Sequence, residues 1–377
     1  MARQPNAVDF WRGFALITIF IDHIPGLVYA KYTLVNFSIS DAADLFVFLA
    51  GWSLRLMADG GGRTMPTRNV VLRLFGRALE LYAAQVLITM LAIAMLALTS
   101  MELDNPLLLE WHNAAAVFND PVPTHIGLAL LTHQLGYFDI LPLYVVLMLM
   151  APFFALIDRT VPSLLLPASA TLYVCALVFR LTLPTWPVSG TWFFNPLAWQ
   201  FTFVLGFALA REDAGVGALV RRHIRWLRIL ALPFLIYFTF GVLFDALWDP
   251  TIVPEPKLFF LLDKTWATPP RLIQFLSLVA VFSLAFRYIR WCADVPYLRY
   301  LVAPLIRMFA LLGRNSLYVF CVGSLLSLTA QFVRFAYRGT VGVDTAVVIS
   351  GIVIMAFTAW LAESRQRARP SPAAQHS

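Results

Sequence analysis

The chain has few charged residues, and one cationic residue type is almost missing. Charged residues make up 13% of its 377 residues, and 60% are hydrophobic. A soluble domain has about a quarter of its residues charged. Lysine occurs only at Lys31, Lys257 and Lys264, so arginine supplies most of the net charge of +7. Most arginines fall in short segments between apolar runs, which is typical of membrane proteins and does not indicate a nucleic-acid partner.

Cysteine is also scarce, and the three cysteines form no metal-binding or redox motif. Cys175, Cys292 and Cys321 are isolated from one another and from histidine pairs. Their spacing matches no zinc or dithiol motif, so we predict inert thiols and no metal site. Internal repeats of the kind that mark many transporters are not visible either.

Long apolar runs predict an all-α polytopic membrane protein, a bundle of about ten transmembrane helices of about 20 residues each. We expect one transmembrane domain over 1–362 and a polar, disordered tail over 363–377. The expected spans are about 12–30, 41–58, 77–99, 137–157, 163–181, 194–211, 227–248, 270–289, 314–334 and 343–362.

The distribution of cations predicts the orientation. With the N-terminus in the cytoplasm, ten spans leave seven of the 28 cations outside and place the other 21 at inner ends and loops. The seven are Lys31, Arg180, Lys257, Lys264, Arg271, Arg334 and Arg338. Positive residues concentrate on the cytoplasmic side of membrane proteins, so both termini are predicted to be cytoplasmic.

The first expected span carries ionisable residues, which are costly in a bilayer and indicate a functional site. Arg12 and His23 are eleven residues apart, about 1100° at roughly 100° per residue, or within about 20° of three full turns. They should therefore share one stripe of a helix, about 16 Å apart along its axis. The structural alternative is that Arg12 reaches the headgroups and His23 is a satisfied polar residue of the bundle core.

Other charged residues begin the later spans. Asp44 and Asp139 lie at outer helix starts, where a carboxylate either caps the helix or orients the His23 imidazole. Asp22 is a third candidate for that supporting role. Arg73 and Arg77 precede the third span and share a face. They either hold an anionic ligand or anchor the helix at the inner surface.

Two expected outer segments, 100–136 and 248–269, mix acidic and aromatic residues. This composition fits a polar, sugar-like acceptor. It equally fits a solvated loop with tryptophan anchors at the membrane interface.

Taken together, several motifs resemble the membrane-bound acyltransferase superfamily (acyltransferase family three). They are Asp-x-x-Arg-Gly at 9–13, Arg-x10-His from Arg12 to His23, Asp-Leu-Phe-Val-Phe-Leu-Ala-Gly at 44–51, and Arg73 with Arg77. One departure is Leu-Ala-Gly at 49–51, where the superfamily usually shows Leu-Ser-Gly. Position 50 is therefore an alanine and carries no hydroxyl.

Finer features resemble one branch, the OpgC family of osmoregulated periplasmic glucan succinyltransferases. They are Asp-His-Ile-Pro at 22–25, Phe-Asp-Ile-Leu-Pro-Leu-Tyr at 138–144, Asn-Pro-Leu-Ala-Trp-Gln at 195–200, Asp-Lys-Thr at 263–265 followed by Arg-Leu at 271–272, and Gly-Arg-Asn-Ser-Leu at 313–317. Their order covers nearly the whole chain, from Asp9 to about Phe320.

The resemblance implies a multi-pass enzyme of the bacterial inner membrane. It would take an acyl group from cytoplasmic acyl-CoA, bound as a donor substrate, and pass it to a hydroxyl of a carbohydrate acceptor outside the cytoplasm. Arg12 and His23 match the family's Arg-x10-His motif. The branch implies a succinyl group and a periplasmic glucan; acetyl, another polysaccharide and a lipid-linked sugar stay open.

In the mechanism that we expect, Arg12, Arg73 and Arg77 hold the phosphates of acyl-CoA. His23 acts as general base on the acceptor hydroxyl, because imidazole ordinarily has a pKa of about 6.5. An acyl-histidine intermediate is the rival version. A proton-coupled transporter or flippase of a polar lipid or sugar is the alternative function, since buried His and Asp residues also form proton relays.

Overall fold

A computed structural model describes residues 6–59 and 65–368 of the chain. In these ranges the regular secondary structure is helical except for one short hairpin, which confirms the predicted all-α class. The α-helices are α1 (Ala7–Asp22), α2 (Ala42–Ala58), α3 (Thr67–Glu102), α4 (Leu107–Trp111), α5 (Ala115–Asn119), α6 (Pro121–Ala129), α7 (Ile140–Thr160), α8 (Pro162–Val178), α9 (Pro196–Leu209), α10 (Gly215–Leu243), α11 (Pro269–Asp294), α12 (Pro296–Arg314), α13 (Ser316–Tyr337) and α14 (Val341–Ala368).

The chain divides into two compact units. The terminal unit comprises Met1–Thr33 and Leu284–Ser377, and the central unit comprises Leu34–Ser283. α1, α12, α13 and α14 therefore belong to the terminal unit, and α2 to α10 belong to the central unit.

Six helices of the described ranges are long and apolar enough to cross a membrane: α3, α7, α10, α11, α13 and α14. α8 and α9 are apolar but shorter. The apolar runs thus predicted a multi-pass membrane protein correctly. The count of about ten spans is not confirmed, and the cytoplasmic side of the termini stays a prediction.

The predicted first span, 12–30, is wrong in its extent. α1 ends at Asp22, and residues Val28–Tyr32 form a separate 3₁₀ helix. Two local features stop α1: the residue before Pro25 is disfavoured in helical conformation, and Gly26 has a φ of +72°. His23 therefore lies at the end of a helix and not within one.

The tail prediction is only partly within the described residues. α14 continues to Ala368, so residues 363–368 are helical and not disordered as predicted. Residues 369–377 lie outside the described ranges.

Glycines allow two pairs of helices to approach closely. A Cβ atom on Gly51 of α2 would lie 1.9 Å from the Phe203 carbonyl oxygen of α9. One on Gly206 of α9 would lie 2.0 Å from the Phe48 carbonyl oxygen of α2. In the terminal unit, Gly13 of α1 faces the backbone of α12 in the same manner. Small residues are typical of helix interfaces within membranes, where packing supplies the stabilising energy.

The segment after α3 folds into α4, α5 and α6, so the predicted loop 100–136 contains short helices. Its residues His112 and His133 are buried. Burial lowers the pKa of His133, although a hydrogen bond of 3.0 Å between Nε2 and the Asn113 carbonyl oxygen opposes that shift.

The only strands among the described residues, β1 (Pro184–Thr185) and β2 (Gly190–Thr191), pair in an antiparallel hairpin before α9.

Candidate functional site

α1 positions the Arg-x10-His motif in the terminal unit. Its N-terminus is capped by Asn6, whose side-chain oxygen accepts a hydrogen bond of 2.7 Å from the Asp9 amide. Arg12 lies one turn into the helix and is partly buried, and Asp22 is the last helical residue. His23 is the C-cap and also partly buried.

The chain beyond His23 is held by α13 and α14. The side-chain amide of Gln331 donates a hydrogen bond of 2.7 Å to the His23 carbonyl oxygen. Arg334 donates to the Gly26 carbonyl oxygen at 2.8 Å and forms an ion pair with Asp344, which is fully buried. Asp344 also accepts a hydrogen bond from the Val28 amide at 2.9 Å. These contacts fix the backbone on the C-terminal side of the imidazole.

A second arginine lies near the start of α1. A Cβ atom on Gly313 of α12 would lie 1.8 Å from the Asp9 carbonyl oxygen, so the end of α12 touches the first turns of α1. The next residue, Arg314, places Nη2 3.2 Å from a carboxylate oxygen of Glu363. Within the described part of the chain, Arg314 Nε and Nη1 are buried and have no acceptor. The sequence contained Arg314 in a motif but did not indicate a role for it.

Asp44 has two structural functions in the central unit. With Asp41 it forms a capping box: Asp44 accepts from the Asp41 amide at 2.9 Å, and Asp41 accepts from the Ala43 amide at 2.8 Å. Asp44 also receives two hydrogen bonds from Arg271, at 3.2 and 2.6 Å. Asp44 and Arg271 are 2% and 4% exposed, so this is a buried ion pair.

Further groups extend this pair into a cluster. We call it the α2 cluster, and it comprises Asp41, Asp44, Lys264, Arg271 and Gln274. Arg271 Nη2 lies 3.1 Å from Asp41, and Lys264 Nζ lies 2.6 Å from the same carboxylate. The Gln274 side-chain oxygen accepts hydrogen bonds from the amides of Ile39 and Ser40, at 2.9 and 3.0 Å.

The carboxylate of Asp139 interacts electrostatically with Lys264 and Asp41 of the α2 cluster. Asp139 occupies the N-cap position of α7, just before that candidate span, and makes no capping hydrogen bond through its side chain. Burial raises the pKa of Asp139 to about 6, against the opposing charge of Lys264. Asp41 adds a smaller upward shift to this pKa.

The predicted basic residues of α3 lie on its surface. Arg73 is exposed, and Arg77 pairs with the exposed Glu80 at 2.8 Å. Both arginines belong to the central unit, whereas Arg12 belongs to the terminal unit. Their role in holding acyl-CoA stays a prediction.

The central unit also contains a buried ion pair that sequence reasoning missed. Arg55 forms two hydrogen bonds of 2.7 Å with Asp158, and its guanidinium lies 3.9 Å from the centre of the Phe207 ring. Arg211 approaches the same carboxylate at 3.8 Å. Arg55 and Asp158 are 103 residues apart, so local spacing carries no signal for the pair.

The predicted site residues thus fall into two sets. Arg12, Asp22 and His23 lie in the terminal unit, and Asp44, Asp139, Arg73 and Arg77 lie in the central unit. The support of His23 by Asp22, Asp44 or Asp139 stays a prediction. Among the described residues, no group of three or more His, Cys, Asp and Glu residues is arranged to hold a metal ion.

Comparison with known proteins gives the family. A protein-family model described as "OpgC protein" matches residues 3–367, which is nearly the whole chain. Searches of curated proteins and of solved structures found no match. The matched range includes α1 with Arg12 and His23 as well as the α2 cluster. The chain therefore belongs to the OpgC family.

Proposed function

We propose that this protein is an O-acyltransferase of the bacterial inner membrane, which moves a succinyl group from succinyl-CoA to a hydroxyl of a periplasmic glucan. The observation that carries the proposal is the OpgC match over residues 3–367. Membership of that family implies a succinyltransferase for periplasmic glucans. The six long apolar helices support a location in a membrane.

Arg12 is the residue that we propose for holding the donor. Acyl-CoA is a polyanion, and guanidinium groups bind phosphate through charge-assisted, often bidentate hydrogen bonds. Arg314 supports this assignment, because Gly313 contacts the α1 backbone at Asp9 and two of the Arg314 nitrogens have no acceptor within the described residues. With both termini in the cytoplasm, these two arginines face the compartment that supplies the donor.

His23 is the proposed general base. Its imidazole takes the proton of the acceptor hydroxyl while that oxygen attacks the thioester carbonyl carbon. The carbon–sulfur bond then breaks, and the coenzyme A thiolate leaves and is protonated by the imidazolium. The Gln331 hydrogen bond to the His23 backbone supports the role, since a base must be held within hydrogen-bonding reach of its proton.

A covalent route through an acyl-histidine would use the same residue as nucleophile. The two routes differ when the acceptor is omitted. Without acceptor, a nucleophilic His23 releases one equivalent of free coenzyme A per protein in a rapid burst. If His23 acts only as a general base, no burst occurs.

The decisive experiment compares cells that express the wild-type chain, the His23→Ala chain or neither. Mass spectrometry of their periplasmic glucans should show the added succinyl mass only with the wild type. Immunoblotting of membranes checks that both proteins accumulate equally. Succinylated glucan from His23→Ala cells at the wild-type level would refute the role of His23. A pH-driven sugar flux without any acyl addition would favour the transporter instead.

A further inference from the structure

The amide of Gln274 has a fixed orientation in the α2 cluster. Its oxygen accepts hydrogen bonds from Ser38 Oγ at 3.0 Å and from the backbone amides of Ile39 and Ser40. Backbone N–H groups can only donate, so they determine which end of the amide is oxygen. The nitrogen Nε2 consequently faces away from this loop.

Gln274 is fully buried, and among the described residues its Nε2 has no hydrogen-bond acceptor. A buried donor without an acceptor destabilises the folded state. The N–H groups of this amide are therefore well suited to an oxygen atom of a ligand.

Lys264 connects the cluster to the protein surface. Its ammonium group lies 2.6 Å from Asp41, and its side chain is 30% exposed. The same ammonium lies 5.3 Å from the centre of the Phe194 ring and 5.7 Å from that of Phe193. Phe193 is 47% exposed, so an apolar ring face lies beside a charged donor.

The charges of the α2 cluster indicate what kind of ligand fits. The negative charges of Asp41 and Asp44 balance the positive charges of Lys264 and Arg271. The cluster therefore has no excess positive charge for a polyanion such as acyl-CoA. Hydroxyl groups suit the cluster better, because each can accept from Nε2 or Nζ and donate to a carboxylate. A ring face such as that of Phe193 packs against the C–H face of a sugar.

We propose that Gln274, Lys264 and Phe193 form a binding site for the carbohydrate acceptor, a neutral polyhydroxylated chain. The proposal rests on the proposed function and adds the acceptor side of it. In the predicted orientation, the start of α2 lies at the periplasmic end of the protein, where a glucan is available.

The test measures glucan binding without any donor, so that it does not depend on catalysis. The full chain is purified in lipid nanodiscs and titrated with a linear β-linked glucan oligosaccharide by calorimetry. Gln274→Glu keeps the side-chain oxygen but replaces the Nε2 donor, while Lys264→Met and Phe193→Ala remove the charge and the ring. Each substitution should weaken binding at least tenfold.

Lys31→Met and Gln366→Glu are the matched controls, since both residues are exposed and lie outside the segments 100–136 and 248–269; they should bind glucan as the wild type does. Melting temperatures identify any variant that fails to fold. If Gln274→Glu fails, Lys264→Met and Phe193→Ala still decide the question, because neither removes a contact of the Ser38–Ser40 loop.

Glucan affinities within twofold of the wild type in Lys264→Met and Phe193→Ala would overturn the proposal. So would variants that lose affinity for succinyl-CoA and keep it for glucan, since the cluster would then serve the donor. Failure of the proposed function looks different: the wild type itself would neither bind glucan nor transfer succinyl groups to it.

Discussion

The side-chain amide of Gln331 holds the carbonyl oxygen of His23 at 2.7 Å. The last carbonyls of a helix lack partners within that helix, and His23 is the C-cap of α1. α13 therefore supplies from outside the helix a hydrogen bond that fixes the backbone of the proposed base.

Replacing Gln331 by Leu should lower kcat and leave the KM for succinyl-CoA unchanged. A misplacement of about 1 Å can reduce catalysis by about 100-fold, and we expect a fall between about tenfold and 100-fold. Steady-state kinetics on the purified protein gives both constants. Thr329→Val, an exposed change on the same helix, is the control. An unchanged kcat in Gln331→Leu would show that this hydrogen bond does not position the base.

Replacing Arg12 by Ala should mainly raise the KM for succinyl-CoA. A hydrogen bond to a charged group is worth about 1.5–3 kcal/mol, which corresponds to a rise of roughly ten- to 100-fold. Arg12→Lys distinguishes charge from geometry, because lysine keeps the charge but not the planar fork. Arg290→Ala removes an exposed arginine of α11 and should leave the KM unchanged. Equal effects of Arg12→Ala and Arg290→Ala would contradict a specific donor contact.

Removing Asp158 should destabilise the protein far more than removing Glu80. Asp158 pairs with Arg55, and the two side chains are only 10% and 6% exposed. Breaking such a pair leaves a buried charge and costs about 3–5 kcal/mol. Glu80 pairs with Arg77 at the surface, where an ion pair contributes about 1 kcal/mol or less. Melting temperatures of Asp158→Asn and Glu80→Gln in one detergent give the comparison, and similar values would refute the distinction.

Gly51→Ala and Gly206→Ala should separate α2 from α9. The added methyl groups would lie 1.9 and 2.0 Å from backbone carbonyl oxygens, and backbone cannot move aside as a flexible side chain can. Gly76→Ala on α3 meets no atom within 4 Å, so it should stabilise the helix by up to about 1 kcal/mol. Thermal unfolding of the three variants should therefore shift in opposite directions. Stabilisation by Gly51→Ala would disprove the close approach.

Local signals in the sequence predicted much of the fold. The apolar runs identified α3, α7, α10, α11, α13 and α14, because composition alone determines which segments can lie in lipid. Of the two aspartates expected as possible helix caps, Asp44 completes a capping box, whereas Asp139 makes no capping hydrogen bond through its side chain. Pro25 and Gly26 also indicate that α1 ends near Asp22. The prediction of a span over 12–30 followed the apolar residues around them instead.

The ionic contacts of the site could not be predicted in the same way. Arg271 and Asp44 are 227 residues apart, and Arg55 and Asp158 are 103 apart. Helical periodicity relates only residues within a few turns of each other. Which distant charges meet depends on how the helices pack. The sequence therefore placed Lys264 and Arg271 in a motif and among the outer cations, but it did not predict their partners.

Gly313 contacts Asp9, and Gly13 contacts Phe309, so the backbone of α1 packs directly against that of α12, a helix formed much later in the chain. Topology mapping often fuses a reporter enzyme to progressively shortened chains. Any fusion that stops before α12 would deprive α1 of this neighbour, and the reporter could then record the orientation of an unsupported helix. Reporters inserted into the complete chain, for example between α2 and α3, avoid that artefact and keep the Arg12 and His23 helix in its native setting.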